Sequence, residues 1–294
     1  MTRTTPNPEP KPAWWESLTP GVEEIQRSLG RARRLDALLV LGSGLGDAVS
    51  RWTARKSWGP GALPGSGRPT VAGHSGSFHW MTVGESKGGR TREVLVQQGR
   101  VHLYEGGGLD GCLFATRLAF RLGAPWLLLT NAAGAIDSAL RPGMLLILHD
   151  LVSLAMGRGL SQGGRLGRPA NGFAAGSPFD RGWVRRLTDL AAELGIPARS
   201  GILGGSTGPA YETAAEVEAW RRIGAHAGTM STVIEALEGR ALGMKVGGIS
   251  FLSNMATGLG GGHVDHEDVI ALAKTASVTL GALLERALAE GPAG

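Results

Sequence analysis

The apolar positions of this chain fall into two kinds of pattern that take turns from end to end. Unbroken apolar runs occur at Leu38-Leu39-Val40-Leu41, in 125–131 (PWLLLTN), in 144–149 (MLLILH) and in 244–252. Runs of this kind predict strands covered on both faces. Shorter strands are predicted at 69–73, 78–84, 93–98 and 201–205. Between them the spacing lengthens to three and four. Pro20 opens a helix over 20–35 whose face carries Val22, Ile25 and Leu29. Phe179, Trp183, Leu187, Leu190 and Leu194 share another helical face, stopped by Gly195-Ile196-Pro197. Helices are also predicted over 109–122, 212–223, 231–242 and 266–288, the last with Val269, Leu272, Ala276, Leu280 and Leu283 facing inward. Residues 55–68 and 157–176 read as loops. The alternation predicts an α/β fold, with a mostly buried sheet covered by helices on both sides. Neither a repeat nor a linker interrupts it, so residues 13–294 are read as one domain behind a Pro-rich, polar, disordered tail at 1–12.

Composition adds limits. With 42% apolar and 19% charged residues the chain is ordinary for a globular protein, and its 48 glycines follow no collagen-like period. A net charge of +5 suits anionic ligands. There is no Lys/Arg run and no basic stripe interleaved with aromatics, so nucleic acid is not expected as a partner. The lone cysteine, Cys112, cannot form an internal disulfide and reads as a buried thiol, which points to a reducing cytoplasm. No stretch of 18 apolar residues and no signal-type segment is found, so no membrane association is expected.

Candidate chemistry begins where the first strand ends, in "ALLVLGSGLG" at 37–46. A strand that runs into glycines offers bare backbone N–H groups to an anion. The spacing is G-x-G-x-G, not the dinucleotide G-x-G-x-x-G, and no acidic residue lies between Asp47 and Glu85 to hold a ribose. The Gly-Lys-Ser/Thr of a phosphate-binding P-loop is absent too. What remains is either a small-oxyanion site using the Ser43 hydroxyl or a plain strand–helix turn. In "QQGRVHLYEGG", 97–107, Arg100, His102 and Tyr104 alternate, which in an extended chain puts all three on one face. Arg can fork onto a phosphate and His can donate or shuttle a proton. His74 in "AGHSG" matters if it meets these groups. Glu212 stands at a helix entrance just after Tyr211, where it either serves a site or favours the helix dipole. Asn254 lies at the end of a buried strand, the place where α/β sheets bind ligands, and its amide can donate and accept at a heterocycle edge.

Together these segments resemble the trimeric purine nucleoside phosphorylases. The matching words are LGSGLG, GHSG, QGRVHLYEG, LTNAAGAI, GPAYET, GTMSTVIE and SNMA…HED, in the family's order across roughly 20–290. The resemblance implies a single α/β domain with a mixed, partly barrel-like central sheet, assembled as a homotrimer. It implies phosphorolysis of purine (deoxy)ribonucleosides, preferring the 6-oxopurines inosine and guanosine, to free base and (deoxy)ribose 1-phosphate. Inorganic phosphate is the co-substrate, with no metal or organic cofactor. By the same resemblance Ser43, His74, Arg100, His102, Ser231 and the backbone of Ala132 hold phosphate. Tyr104 and Met230 line the ribose and His266 reaches its 5′-hydroxyl. Tyr211 packs on the base, Ala133 and Gly134 lie against it, and Glu212 and Asn254 bond its edge. Asn254, Glu212 and His102 are the catalytic candidates. The chain departs from the family pattern at Ser253, where Thr is common, and at Gly228-Thr229. For the aromatic that a neighbouring subunit contributes in the family, Phe173 is a candidate, and Gly258–Gly262 reads as a mobile gate. Two alternatives stay open: a methylthioadenosine phosphorylase, which takes 6-aminopurines, and a noncatalytic nucleotide-binding protein.

Overall fold

The computed structural model describes residues 11–30, 34–71, 73–84, 91–153, 176–260 and 266–294, with side chains from 277 onward in the last segment. Among the described residues, nine strands form one mixed sheet: β1 (Ala37–Leu41), β2 (Thr53–Trp58), β3 (Ser77–Val83), β4 (Arg92–Gln98), β5 (Trp126–Ala135), β6 (Leu145–Val152), β7 (Ala198–Gly205), β8 (Ala227–Thr229) and β9 (Lys245–Met255). Their order is β2-β3-β4-β1-β5-β8-β7-β6-β9, and β9 pairs again with β5. That last pairing closes β5-β8-β7-β6-β9 into a five-stranded barrel, with β1 to β4 continuing from β5 as an outer wing. The partly barrel-like sheet implied by the resemblance is therefore what the chain forms.

The unbroken apolar runs are explained by coverage on two faces. In β1, Leu38 and Val40 join one core with Ile25 and Leu118, while Ala37, Leu39 and Leu41 join another with Trp183, Leu187 and Leu283. The first core is covered by α2 (Thr19–Leu29) and α3 (Gly108–Arg121), the second by α4 (Arg181–Glu193) and α7 (His266–Glu290). A four-residue α1 (Trp14–Ser17) precedes α2, and α5 (Ala214–Arg222) and α6 (Val233–Ala241) follow β7 and β8.

Several expectations are corrected. The helix over 20–35 stops at Leu29, because Gly30 takes a left-handed φ of 71°. The loop at 55–68 begins inside β2, an edge strand whose exposed polar residues hide its period. No strand forms over the described residues of 69–73, a stretch that opens on Pro69 and ends on Gly73 at a φ of 82°; residue 72 is outside the described residues. The three-residue β8 is too short to leave a pattern. The outer parts of 1–12, the loop at 157–176 with Phe173, most of the inward face assigned to 269–276, and Gly261-Gly262 of the gate lie outside the described residues.

Two close approaches hold the first glycine turn in place. A Cβ on Gly42 would stand 2.7 Å from Asn131 Cα, and one on Gly281 would stand 2.3 Å from the Ala48 carbonyl oxygen. The helix α7 thus presses its backbone onto the turn that follows the glycines. Gly281→Ala is expected to cost about 1–3 kcal/mol through overpacking, more than the roughly 1 kcal/mol that Ala gains in a helix interior. Urea unfolding checks this; an unchanged or raised midpoint would contradict the packing described.

Candidate active site

A cavity of about 330 Å³ opens where the C-terminal ends of β1, β4, β5 and β9 meet the β7–α5 loop and the start of α6. One side is lined by Ser43, His74, Arg100, His102 and Ser231, with Ala132 beside them. The other carries Ala133, Gly134, Tyr211, Glu212 and Asn254, and Tyr104 and Met230 also line it. The segments singled out in the sequence therefore converge on one cavity. His266 opens α7, but its side chain is outside the described residues.

Arg100 is the most buried of these groups, 1% exposed. Its Nη1 donates to Thr232 Oγ1 and to Glu235 Oε2, both at 2.9 Å, and its Nη2 donates to the Thr130 carbonyl. The Nε–H has no hydrogen-bond partner among the described residues. Burial pushes the Glu235 carboxyl above its ordinary value, and the guanidinium beside it pulls the other way. Thr232 also receives Asn131 Nδ2 at 3.0 Å and sits at a φ of 72°, a conformation rarely taken by a β-branched residue. Asn131 Oδ1, also buried, is without a partner among the described residues.

Arg100, His102 and Tyr104 reach the cavity by a different route from the predicted alternation. The strand β4 ends at Gln98, and Leu103–Glu105 form a single 3₁₀ turn. The rings of His74, His102 and Tyr104 stack in series, each pair with centroids 5.0 Å apart. Glu105 fixes the middle ring: its Oε1 accepts from the His102 backbone N–H at 2.7 Å and lies 2.8 Å from Nδ1. Its Oε2 takes the Thr70 backbone N–H and hydroxyl. Burial raises the Glu105 carboxyl, but these hydrogen bonds outweigh it and hold the group at about 2. His74 lies between the Ser43 hydroxyl, 2.8 Å from Nε2, and the Arg100 carbonyl, 2.8 Å from Nδ1.

At the other end, β9 carries a bulge against β5. Leu252 pairs with Ala133 and Asn254 with Gly134, so Ser253 is the extra residue. A bulge re-aims the side chain beside it, and Asn254 turns into the cavity from within the strand rather than from beyond it. Ser253 Oγ donates to Asn254 Oδ1 at 2.8 Å, and Asn254 Nδ2 donates to the Met255 carbonyl at 2.8 Å, which sets the amide's orientation. A Cβ on Gly134 would stand 3.2 Å from that nitrogen. Glu212 is not a helix cap: Thr213 and Glu216 cap α5 reciprocally, while Glu212 Oε1 accepts from Ser206 Oγ at 2.6 Å. Among the described residues, no group of three His, Cys, Asp or Glu could hold a metal, and no helix is long and apolar enough to cross a membrane.

Residues 41–289 match the model of the phosphorylase superfamily. The chain is 36% identical to purine nucleoside phosphorylase 1 of Geobacillus stearothermophilus, over 79% of this chain and 82% of that one. It is 34% identical to the purine nucleoside phosphorylase of Mycobacterium tuberculosis, over 86% and 89%. Its fold superposes on isoform 2 of the Schistosoma mansoni enzyme, solved with cytosine and ribose 1-phosphate. The TM-score is 0.82 at 25% identity, covering 95% of this chain and 97% of that one. The chain is an enzyme of the purine nucleoside phosphorylase family. Within this family member, sequence reasoning passed over Glu105, Thr232 and Glu235; Thr232 and Glu235 stand in the T-x-x-E spacing of a capping box at the start of α6, which marks a helix start but not their contact with Arg100. Asn131, in LTNAAGAI, likewise gives no local sign of its bond to Thr232.

Burial holds the His74 imidazole down at about 4, against an ordinary 6.5, with the hydrogen bond to the Arg100 carbonyl opposing. The unfolded chain takes up a proton as pH falls through 6.5, and the folded chain does so only near 4. Stability present above 6.5 is therefore lost between those limits, by at most about 1.4 kcal/mol per pH unit for one proton. His74→Gln is expected to lose less stability than the parent between pH 7 and pH 4.5 in urea unfolding. Equal losses would contradict the burial argument.

Proposed function

We propose that this chain catalyses the phosphate-dependent cleavage of 6-oxopurine nucleosides, inosine and guanosine, to the free base and a pentose 1-phosphate. The observation that carries the reading is a buried arginine with an unpartnered Nε–H in the same cavity as a carboxylate and an oriented amide. A buried donor left without a partner is costly, and an oxyanion supplies the partner. Ser43, His74, His102, Ser231 and the backbone of Ala132 complete an anion site around Arg100. Tyr104, Met230 and His266 belong to the ribose, and Ala133, Gly134 and Tyr211 to the base.

Phosphate bound there attacks the anomeric carbon as the bond to the purine nitrogen breaks. The electron pair leaves with the base, and negative charge builds on its ring and 6-oxygen. The Asn254 amide nitrogen carries two hydrogens, of which one is used by the Met255 carbonyl; the other can meet that developing charge. Stabilisation that grows in the transition state lowers the barrier. The Glu212 carboxylate accepts from N1–H of an oxopurine and from the 2-amino group of guanine. Adenine has no N1–H, so it leaves the carboxylate oxygen that faces N1 without a donor. The chemistry uses no metal or organic cofactor. A homotrimer in a reducing cytoplasm belongs to the same proposal, supported by Tyr211, which lines the cavity and is 51% exposed, and by buried Cys112, whose thiol burial pushes up to about 12.

The test is base release from inosine, guanosine, adenosine and methylthioadenosine, with and without phosphate. Cleavage of the first two is expected, only with phosphate, and Asn254→Ala is expected to lower kcat by about 10²–10³. Preferred cleavage of the 6-aminopurines would favour the methylthioadenosine reading. Ligand binding without turnover would leave a noncatalytic protein.

A further inference from the structure

We infer that Ser206 is a positioning residue for base selection: its hydroxyl donates to Glu212 and holds that carboxylate as an acceptor turned to the cavity. The inference rests on the oxopurine reading above and deepens it. Ser206 itself does not line the cavity; Glu212 does.

Both ends of the contact are anchored independently of it. The Ser206 backbone N–H donates to the Thr229 carbonyl at 2.9 Å, continuing the pairing of Gly205 with Thr229 between β7 and β8. Two residues on, Gly208 takes a φ of 63°, and a Cβ there would stand 2.7 Å from Met230 Sδ and 2.8 Å from the Tyr104 ring. The chain then turns back to present Glu212, and α5 starts at its own cap, Thr213. The carboxylate thus projects from a short connection between two fixed points, and the 2.6 Å bond from Ser206 Oγ is what determines its rotamer.

The direction of that bond has a chemical consequence. A carboxylate oxygen that takes a hydroxyl hydrogen is held in place as an acceptor. An ionised carboxylate can only accept, which suits the N1–H of an oxopurine. To hold N1 of a 6-aminopurine, which is itself an acceptor, the carboxyl would have to be protonated and donate. Ser206, donating to Oε1, holds the group in the accepting arrangement instead. Since Oε1 takes the serine, the carboxylate still has its second oxygen and further lone pairs for the base.

Hydrogen bonds to charged groups are worth roughly ten- to a hundredfold in an equilibrium. In Ser206→Ala, kcat/KM for inosine is expected to fall about tenfold, mainly through KM, while that for adenosine holds or rises. The KM for phosphate stays unchanged, and Ser206→Thr restores the parental ratio. In a Glu212→Ala background, Ser206→Ala adds nothing, because the group it acts through is gone. Equal losses on both nucleosides, or a full additional loss in the Glu212→Ala background, would overturn the inference. If Glu212→Ala collapses discrimination and Ser206→Ala leaves it intact, the inference alone fails. If the parent shows no preference for inosine, or Glu212→Ala does not change it, the oxopurine reading fails and takes the inference with it.

Discussion

A guanidinium taken out of water needs partners, and Arg100 organises the site through that need. It is 1% exposed, and its partners come from β5 through Thr130 and from the start of α6 through Thr232 and Glu235. An unpaired buried charge costs several kcal/mol, so these elements cannot drift apart without exposing it. Thr232 is held at a φ of 72° by the same set of bonds, and it also takes the Asn131 amide. Strain of this kind persists where the surroundings over-determine a residue, and it collects at functional sites. The glycine turn joins through Thr130, whose hydroxyl receives Gly42 N–H at 3.2 Å and donates to the Val40 carbonyl at 3.0 Å. One buried cation therefore ties together the first strand, the barrel and the helix that begins beside the cavity.

The opposite wall is built by different means. There the bulge at Ser253, the absence of a side chain at Gly134 and the hydroxyls of Ser253 and Ser206 set the attitude of one amide and one carboxylate. The two walls divide the chemistry between a cationic end and an end that reads donor and acceptor positions. Their separation is fixed because β5 runs through both: Asn131 belongs to the Arg100 network, and Gly134 backs Asn254. Under the proposed reading, the first end takes the phosphate and the second takes the heterocycle of a separate nucleoside.

Much of this was legible in the sequence for reasons that can be named. The strands β1, β5 and β9 are covered on both faces, so their apolar runs are unbroken, and the glycines that end or flank them mark close approaches. The site segments carry residue types that a core does not tolerate, Arg100, His102 and Glu212 among them. What stayed hidden has physical causes too. The edge strand β2 is polar along most of its length, and β8 has three residues, so neither leaves a period. Closure of the barrel depends on β9 returning to β5, a long-range pairing that no local pattern encodes. Glu105, Thr232 and Ser206 act on neighbours brought in by the fold: Thr70 to Glu105, Arg100 to Thr232 and Glu212 to Ser206. Their meaning appears only in three dimensions.

The most direct measurement of the central claim is a crystal structure of the full chain grown with inorganic phosphate and hypoxanthine. The account predicts phosphate within hydrogen-bond distance of Arg100 Nε, Ser43 and Ser231, with the purine's N1 edge on Glu212 and its N7 side toward Asn254. Phosphate bound away from Arg100, with the guanidinium still closed on Thr232 and Glu235 and its Nε unpartnered, would contradict it.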